Sequence, residues 1–283
     1  MPISETKEFP KVTAIMCTYG RFSCVERALN CFLAQTYPNK ELIIYNTDTE
    51  SPYLDPNCDL TPYGVVIINS NRDTLTKQPY TNVGAIRRDA LVFASGDYVV
   101  TWDDDDIFLP FFMQQAVERM AETGLPSFKP EKSFFYSGNN LRLVCNTLEA
   151  SVVAETEKVR HYGYHLETGK EGLAWYTKMR DNRELDEHDI TYVPSYCFNW
   201  NDGQEMKAPH KQSGDIDNPE NFKNHKANSL DKVYGRELEI WGVEKIRETY
   251  KPYFDFIQKY RADFPEDLVR KYLRASQDYL SHL

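Results

Sequence analysis

The chain has 283 residues, with 33 Lys plus Arg against 43 Asp plus Glu, a formal net charge of −10, and 41% hydrophobic and 27% charged residues. That length gives one large domain or two joined halves with ample core, and the acidic balance removes any electrostatic reason for non-specific binding to nucleic acid or a membrane surface. No apolar run approaches the ~20 residues that span a bilayer. The opening MPISETKEFPK lacks a basic–apolar–small leader layout, and the six cysteines form no CxxC pair, so a soluble, cytoplasmic protein with reduced thiols is expected.

Residues 12–19, VTAIMCTY, are an apolar run of strand length, suited to a buried parallel strand. Residues 23–35 follow with Val25, Ala28, Leu29, Phe32 and Leu33 at helical spacing, and Ser23 is placed to cap that helix. KELIIYN (40–46) reads as a second strand and YGVVIIN (63–69) as a third. NVGAIRRDALVFAS (82–95) reads as a helix closed by Gly96, DYVVTW (97–102) as a fourth strand, and about Pro110 to Glu122 as a helix with proline in its first turn. The second half is less regular. Residues 133–146 read as strand, 169–182 as a short helix, 189–203 as strand and loop, and the polar stretch 203–232 as a long loop. The C-terminal 45 residues read as helical; in 264–280 Pro265 marks a start, with Leu268, Tyr272, Leu273, Tyr279 and Leu280 on one face.

Alternating strands and helices predict an α/β fold with a mostly parallel central sheet flanked by helices and a C-terminal helical extension. Such sheets bind ligands at the carboxyl ends of their strands, and Thr18, Asn46 and Asp103 fall at such ends. The division expected is 1–130 for one ligand, 131–235 for a second, and 236–283 for the helices.

The stretch YVVTWDDDDIFLP (98–110) sets Asp103 to Asp106 directly after the fourth strand. In an extended strand Asp103 and Asp105 face one way and Asp104 and Asp106 the other, with same-face neighbours roughly 7 Å apart. Oxygen ligands of this kind suit Mg²⁺ or Mn²⁺; a solvated acidic turn is the competing reading. Thr18 and Asn46 also read as plain polar strand ends, and Arg87 as a surface helix residue.

The opening VTAIMCTYGRFSCVERALNCFLAQTYPNKELIIYN and the block GAIRRDALVFASGDYVVTWDDDDIFLP together resemble the GT-A-fold glycosyltransferases of the family 2 type, over residues 11–125. The resemblance implies a metal-dependent transferase using a nucleotide-diphosphate sugar, a UDP-sugar first among them, with Mn²⁺ or Mg²⁺ as cofactor. It implies nucleotide contacts at Thr18, Tyr19 and Arg21. Asn46 stands where relatives carry an Asp that reads the base, and its amide keeps a uracil edge readable. Arg87 matches the arginine of an A-R-N motif, with Arg88 in place of the Asn. Asp103 and Asp105 match a D-x-D pair, Asp105 on the metal and Asp103 on ribose or metal, with Asp104 beside the donor. Relatives place an acidic pair ahead of a helix carrying L-W; here Lys170–Glu171 precede Trp175, so Glu171 is the expected base, with Asp186 and Asp202 in reserve. A solvated helix-start residue is the alternative for Glu171. His210, in HKQSG, stands where relatives carry a histidine that reaches the metal or diphosphate.

A single, non-processive transfer is expected, because the Q-x-x-R-W signature of processive relatives is absent; inversion is the stereochemistry expected alongside the resemblance. The acceptor stays open between glycan, lipid, protein and a hydroxymethylated DNA base; for the last, Lys207, His210, Lys211, Lys223, His225 and Lys226 form a basic stretch. A sugar nucleotidyltransferase and a non-catalytic sugar-nucleotide-binding protein are the competing functions. The first is disfavoured because CTYGRFS is a poor phosphate loop.

Overall fold

The first apolar run becomes β1 (Val12–Thr18) in the computed structural model of the chain, which describes residues 9–49, 52–53, 60–137, 140–146, 148–166, 173–187, 192–199 and 237–281. β1 pairs in parallel with β2 (Lys40–Asn46) on one side and β4 (Tyr98–Thr101) on the other, and β2 carries β3 (Val65–Asn69) in parallel. β9 (Val153–Glu155) runs antiparallel to both β4 and β6 (Ser127–Phe128), so β6 and its parallel neighbour β10 (Leu185–Asp186) point the same way as β1. Among the described residues the sheet order is β10-β6-β9-β4-β1-β2-β3. The chain builds outward from β1 to β3, then returns to the other side of β1 as β4. That reversal opens a crevice at the carboxyl ends of β1 and β4.

Helices cover both faces. α1 (Phe22–Leu33) buries Val25, Ala28, Leu29 and Phe32 on one face, together with α3 (Phe112–Thr123) and the C-terminal pair α6 (Val243–Lys259) and α7 (Glu266–Leu280). α2 (Val83–Leu91), α4 (Thr156–Tyr162) and α5 (Leu173–Asp181) cover the other, with Ile86, Ala90, Val159, Trp175 and Met179 in that core. Parallel strands buried on both sides explain why β1 and β2 read as continuous apolar runs rather than alternating ones. A smaller sheet, β5 (Ile107–Phe108)–β11 (Tyr196–Asn199)–β7 (Lys132–Ser137)–β8 (Asn140–Cys145), starts directly after the aspartates.

Several expected boundaries move. Helix α1 begins at Phe22, one residue early, because the Arg21 carbonyl already accepts the Val25 amide at 3.0 Å; Ser23 therefore lies inside the first turn rather than at the cap position. α2 stops at Leu91, with Asn82 capping its start by accepting from the Ala85 amide at 2.8 Å. Gly96 is required for packing rather than as a helix stop, since a Cβ there would meet Thr13 Oγ1 at 2.6 Å and the Lys11 carbonyl at 2.7 Å. α3 starts at Phe112, two residues after Pro110, whose carbonyl instead accepts the Thr36 amide at 2.7 Å. The strand expected over 133–146 is a hairpin of β7 and β8, and the C-terminal helical stretch is broken between Lys259 and Glu266.

Candidate functional site

The register places Thr18, Asn46 and Asn69 side by side at the carboxyl edge of β1, β2 and β3. Across the crevice, the β1–β4 ladder runs on to Trp102, whose amide donates to the Ile15 carbonyl at 2.8 Å. Trp102 is fully buried; its indole N–H donates to the Ala28 carbonyl at 3.0 Å and its ring stacks on Phe108 at 3.8 Å. Anchored there, residues 103–106 leave the strand as a turn, with the Asp106 amide facing the Asp103 carbonyl at 3.4 Å.

Although residues 103–106 form a turn, their exposure still falls into the pairs 103/105 and 104/106, while their hydrogen-bond partners cross that division. Asp103 accepts from Arg87 Nη2 at 2.8 Å. Asp104 is fully buried, accepts from Thr18 Oγ1 at 2.6 Å, and takes both the Nε and Nη2 arms of Arg21. Asp105 takes the third arm, Arg21 Nη1, at 2.8 Å. Asp106 turns the other way, accepting the Tyr196 hydroxyl and the Asn199 amide, the latter at 3.0 Å. The side chains of Asp103 and Asp105 keep exposures of 29% and 16%; these two, not the buried pair, open to the crevice.

The electrostatics follow burial and partners. Burial raises Asp104 to about 6 despite the attraction of Arg21. Burial also lifts Asp103 against the pull of Arg87, and lifts Asp106 well above the usual carboxylate range, reinforced by the charges of Asp105 and Asp103. Asp105 goes the other way: burial opposes its charge, but the Arg21 guanidinium outweighs that and holds it low. Cys17, on β1 beside this cluster, is pushed up to about 12 by burial, which leaves an inert thiol rather than a nucleophile.

The other expected residues divide. Arg87 is 6% exposed and also lies 3.6 Å from Glu149, so it is no surface helix residue. Gly20, in the turn that carries Tyr19 and Arg21, adopts φ +61°, a left-handed conformation that glycine takes without strain. Asn46 is completely buried: its amide donates to the Asp48 carbonyl at 2.9 Å and to Asn69 at 2.8 Å, and its oxygen accepts the Asp48 amide at 3.0 Å. In this arrangement it braces the strand end. Asp186, held in reserve as a base, is committed to Arg119 Nε at 2.6 Å. Glu171, Asp202, His210 and the basic stretch 207–226 lie outside the described residues. Trp175, which marks the expected acidic pair in sequence, is buried on α5.

Three contributors escaped the sequence reading. Arg27, on α1, donates to the Asp104 and Asp105 carbonyls at 3.4 and 3.0 Å. Its signal was there: helical side chains lean toward the helix N-terminus, so an arginine in the second turn of α1 points back at the crevice. Tyr196 and Asn199 come from β11, 90 and more residues away in sequence, and nothing local marks them among 19 tyrosines.

A divalent cation fits this chemistry. Asp103 and Asp105 offer hard oxygen ligands, and Mg²⁺ in particular is commonly held by one or two carboxylates with substrate phosphates and water completing the shell. Among the described residues no three His, Cys, Asp or Glu side chains gather to hold a metal ion. Among the described residues, too, no helix is long and apolar enough to cross a membrane.

Residues 13–142 match the family model of Glycosyl transferase family 2. The Escherichia coli protein WfgD, UDP-Glc:alpha-D-GlcNAc-diphosphoundecaprenol beta-1,3-glucosyltransferase, is 26% identical over 183 residues, 64% of this chain and 64% of the relative; the match thus spans less than two thirds of that relative's length. The crystal structure of S. aureus TarS 1–349 in complex with UDP-GlcNAc is similar in fold, with a TM-score of 0.53 and 14% identity over 95% of this chain and 89% of the other. The segment that carries the crevice between β1 and β4 is thus similar to Glycosyl transferase family 2, and the fold is similar to that of TarS 1–349.

Proposed function

We propose that the protein transfers a single sugar from a nucleotide-diphosphate sugar, a UDP-sugar, to an acceptor hydroxyl, with inversion and without processivity. The observation that carries this reading is the meeting of Thr18 and Arg21 with Asp104 and Asp105, and of Arg87 with Asp103, across the switch-point crevice, inside the segment that matches the family model. UDP as the nucleotide is supported by WfgD, named for UDP-Glc.

In this reading Thr18, Tyr19 and Arg21 border the nucleotide and Arg87 its phosphates. Asp103 and Asp105 would hold Mn²⁺ or Mg²⁺, with His210 as a further ligand. Such an ion would neutralise charge growing on the departing diphosphate. Arg87 and Arg21 add fixed positive charge at the same place, preorganised by their carboxylate partners. Asp104 orients Thr18 and Arg21, and Asn46 braces the edge of β2. Glu171 would take the acceptor proton from the side opposite the leaving group. Residues 1–130 serve the donor and 131–235 the acceptor, whose identity stays with its chemistry, a free hydroxyl. A cytoplasmic site of action belongs to the same proposal.

The test is release of UDP from a panel of UDP-sugars by the purified protein, with Mn²⁺ and with EDTA. Metal-dependent release, by hydrolysis or transfer, supports the reading. Nucleotide binding without release under any condition replaces it with a non-catalytic binding protein.

A further inference from the structure

The carboxylates that would receive a cation already carry one. Arg21 is shared between two aspartates: its Nε and Nη2 arms lie on Asp104, and its Nη1 arm lies 2.8 Å from Asp105. The two aspartates differ in burial. Asp104 has no exposed side-chain surface, whereas Asp105 keeps 16%. A fully buried carboxylate without a partner is costly, so Arg21 is tied to Asp104. Its Nη1 arm is the one that can be given up, because Asp105 reaches solvent. The backbone beneath is fixed as well, with Arg27 on the carbonyls of Asp104 and Asp105 and Asp106 held by Tyr196 and Asn199. Asp105 therefore cannot swing away to meet an ion.

We propose that Arg21 is an internal counter-cation for Asp105, so that a divalent ion gains Asp105 only when the Nη1 arm of Arg21 finds another anion, the diphosphate of the nucleotide. The inference rests on the donor site proposed above and adds to it a coupling: metal and nucleotide each lower the cost of binding the other. Without nucleotide, an ion at Asp105 breaks a charge-assisted hydrogen bond and faces a guanidinium that Asp104 prevents from leaving. With nucleotide, the diphosphate comes to the Nη1 arm where it stands and replaces Asp105 as its acceptor, so nothing is left unpaired. Linkage makes the effect reciprocal, so Mn²⁺ tightens UDP by the factor with which UDP tightens Mn²⁺.

The experiment measures Mn²⁺ binding to metal-free protein by the loss of the free-ion EPR signal, with and without UDP. Wild type is expected to bind Mn²⁺ weakly alone and tightly with UDP. Arg21→Lys keeps the positive charge, which settles on buried Asp104, but removes the planar fork that spans both aspartates. Mn²⁺ affinity without nucleotide should rise about tenfold, the scale of one hydrogen bond to a charged group, and the coupling to UDP should shrink by the same factor. Equal nucleotide-free affinity in wild type and a folded Arg21→Lys protein overturns the inference. If that variant does not fold, the double variant Arg21→Met with Asp104→Asn, which leaves the net charge unchanged, must show the same tenfold rise; no rise there overturns it too. If wild type binds Mn²⁺ neither alone nor with UDP, the metal reading falls together with this one. Mn²⁺ bound with UDP but unaffected by either variant removes this inference alone.

Discussion

Two clusters of aspartate and arginine sit in this chain, and they are built for opposite ends. In the first, between β3 and α2, Asp89 is 1% exposed and its oxygens are consumed by the Thr74 amide and hydroxyl, the Tyr80 hydroxyl and Arg88. Arg88 also holds Asp73, whose Oδ1 accepts the Leu75 and Thr76 amides. Burial works against the Asp89 charge, but these donors prevail and hold its carboxyl below the ordinary range. In the second, the turn 103–106, burial prevails at three of four positions, and only Asp105 is held low. A carboxylate saturated by fixed hydrogen bonds has nothing left for a ligand. One held by an arginine arm at the edge of solvent keeps an ionised oxygen that a ligand can claim.

The comparison breaks most sharply at Asp105. Asp105→Ala should lower kcat/KM for metal-dependent transfer by about 10²–10³-fold while the thermal midpoint stays near that of wild type, read by UDP release and by melting. Wild-type turnover would make the open carboxylates as structural as the closed one. Asp89→Asn should show the reverse. It leaves Arg88 and Asp73 in a half-dismantled network and should cost about 3 kcal/mol of stability, with KM and kcat of the folded protein unchanged. Its pH dependence has a definite sign. A lowered folded pKa gives stability that is complete above the unfolded value, about 3.9 for Asp, and that fades as pH falls through the folded value. The gap between wild type and Asp89→Asn should therefore be constant near neutrality and close below pH ~4, in denaturant titrations. A gap that widens in acid would contradict the assignment.

Tyr196→Phe sharpens the boundary between the two kinds of cluster. It removes one hydrogen bond to the buried Asp106 and should cost about 2 kcal/mol, seen as a lower denaturant midpoint at unchanged slope. Because Asp106 closes the same turn as Asp105, the KM for donor should also rise a few-fold at little change in kcat. A loss of stability with no change in KM would show that the grip of β11 on this turn is structural only. The smallest effect is expected at Arg88→Lys, about 1 kcal/mol, since the lysine keeps the charge near Asp89 but not the fork that reaches Asp73.

Much of the fold was legible from local pattern. Val12–Thr18 and Lys40–Asn46 read as buried parallel strands because apolar, β-branched runs leave no polar face, and α1 followed from Val25, Ala28, Leu29 and Phe32 recurring at helical spacing. Boundaries were less legible: Ser23 and Gly96 carry the composition of a cap and a stop, yet one lies within a helix and the other fits under Thr13. Both are decided by neighbours that the local pattern does not reveal. Thr18, Asn46 and Asp103 were recognisable as a set because strand ends converge in an α/β sheet, whereas Arg21 and Arg87 were marked only by the family resemblance.

What the sequence determined by itself is the sheet's parallel core and the presence of four carboxylates at the end of β4. Those depend on apolar periodicity and on the handedness of strand connections, which are local properties of the chain. What the tertiary structure decided is which carboxylate does what. A turn at 103–106 took the place of a strand, Arg21 from β1's end joined Asp104 to Asp105, and Tyr196 from β11 drew Asp106 away. Burial and charge partners assign those roles, and both are set by residues up to 93 positions apart, which no local pattern contains.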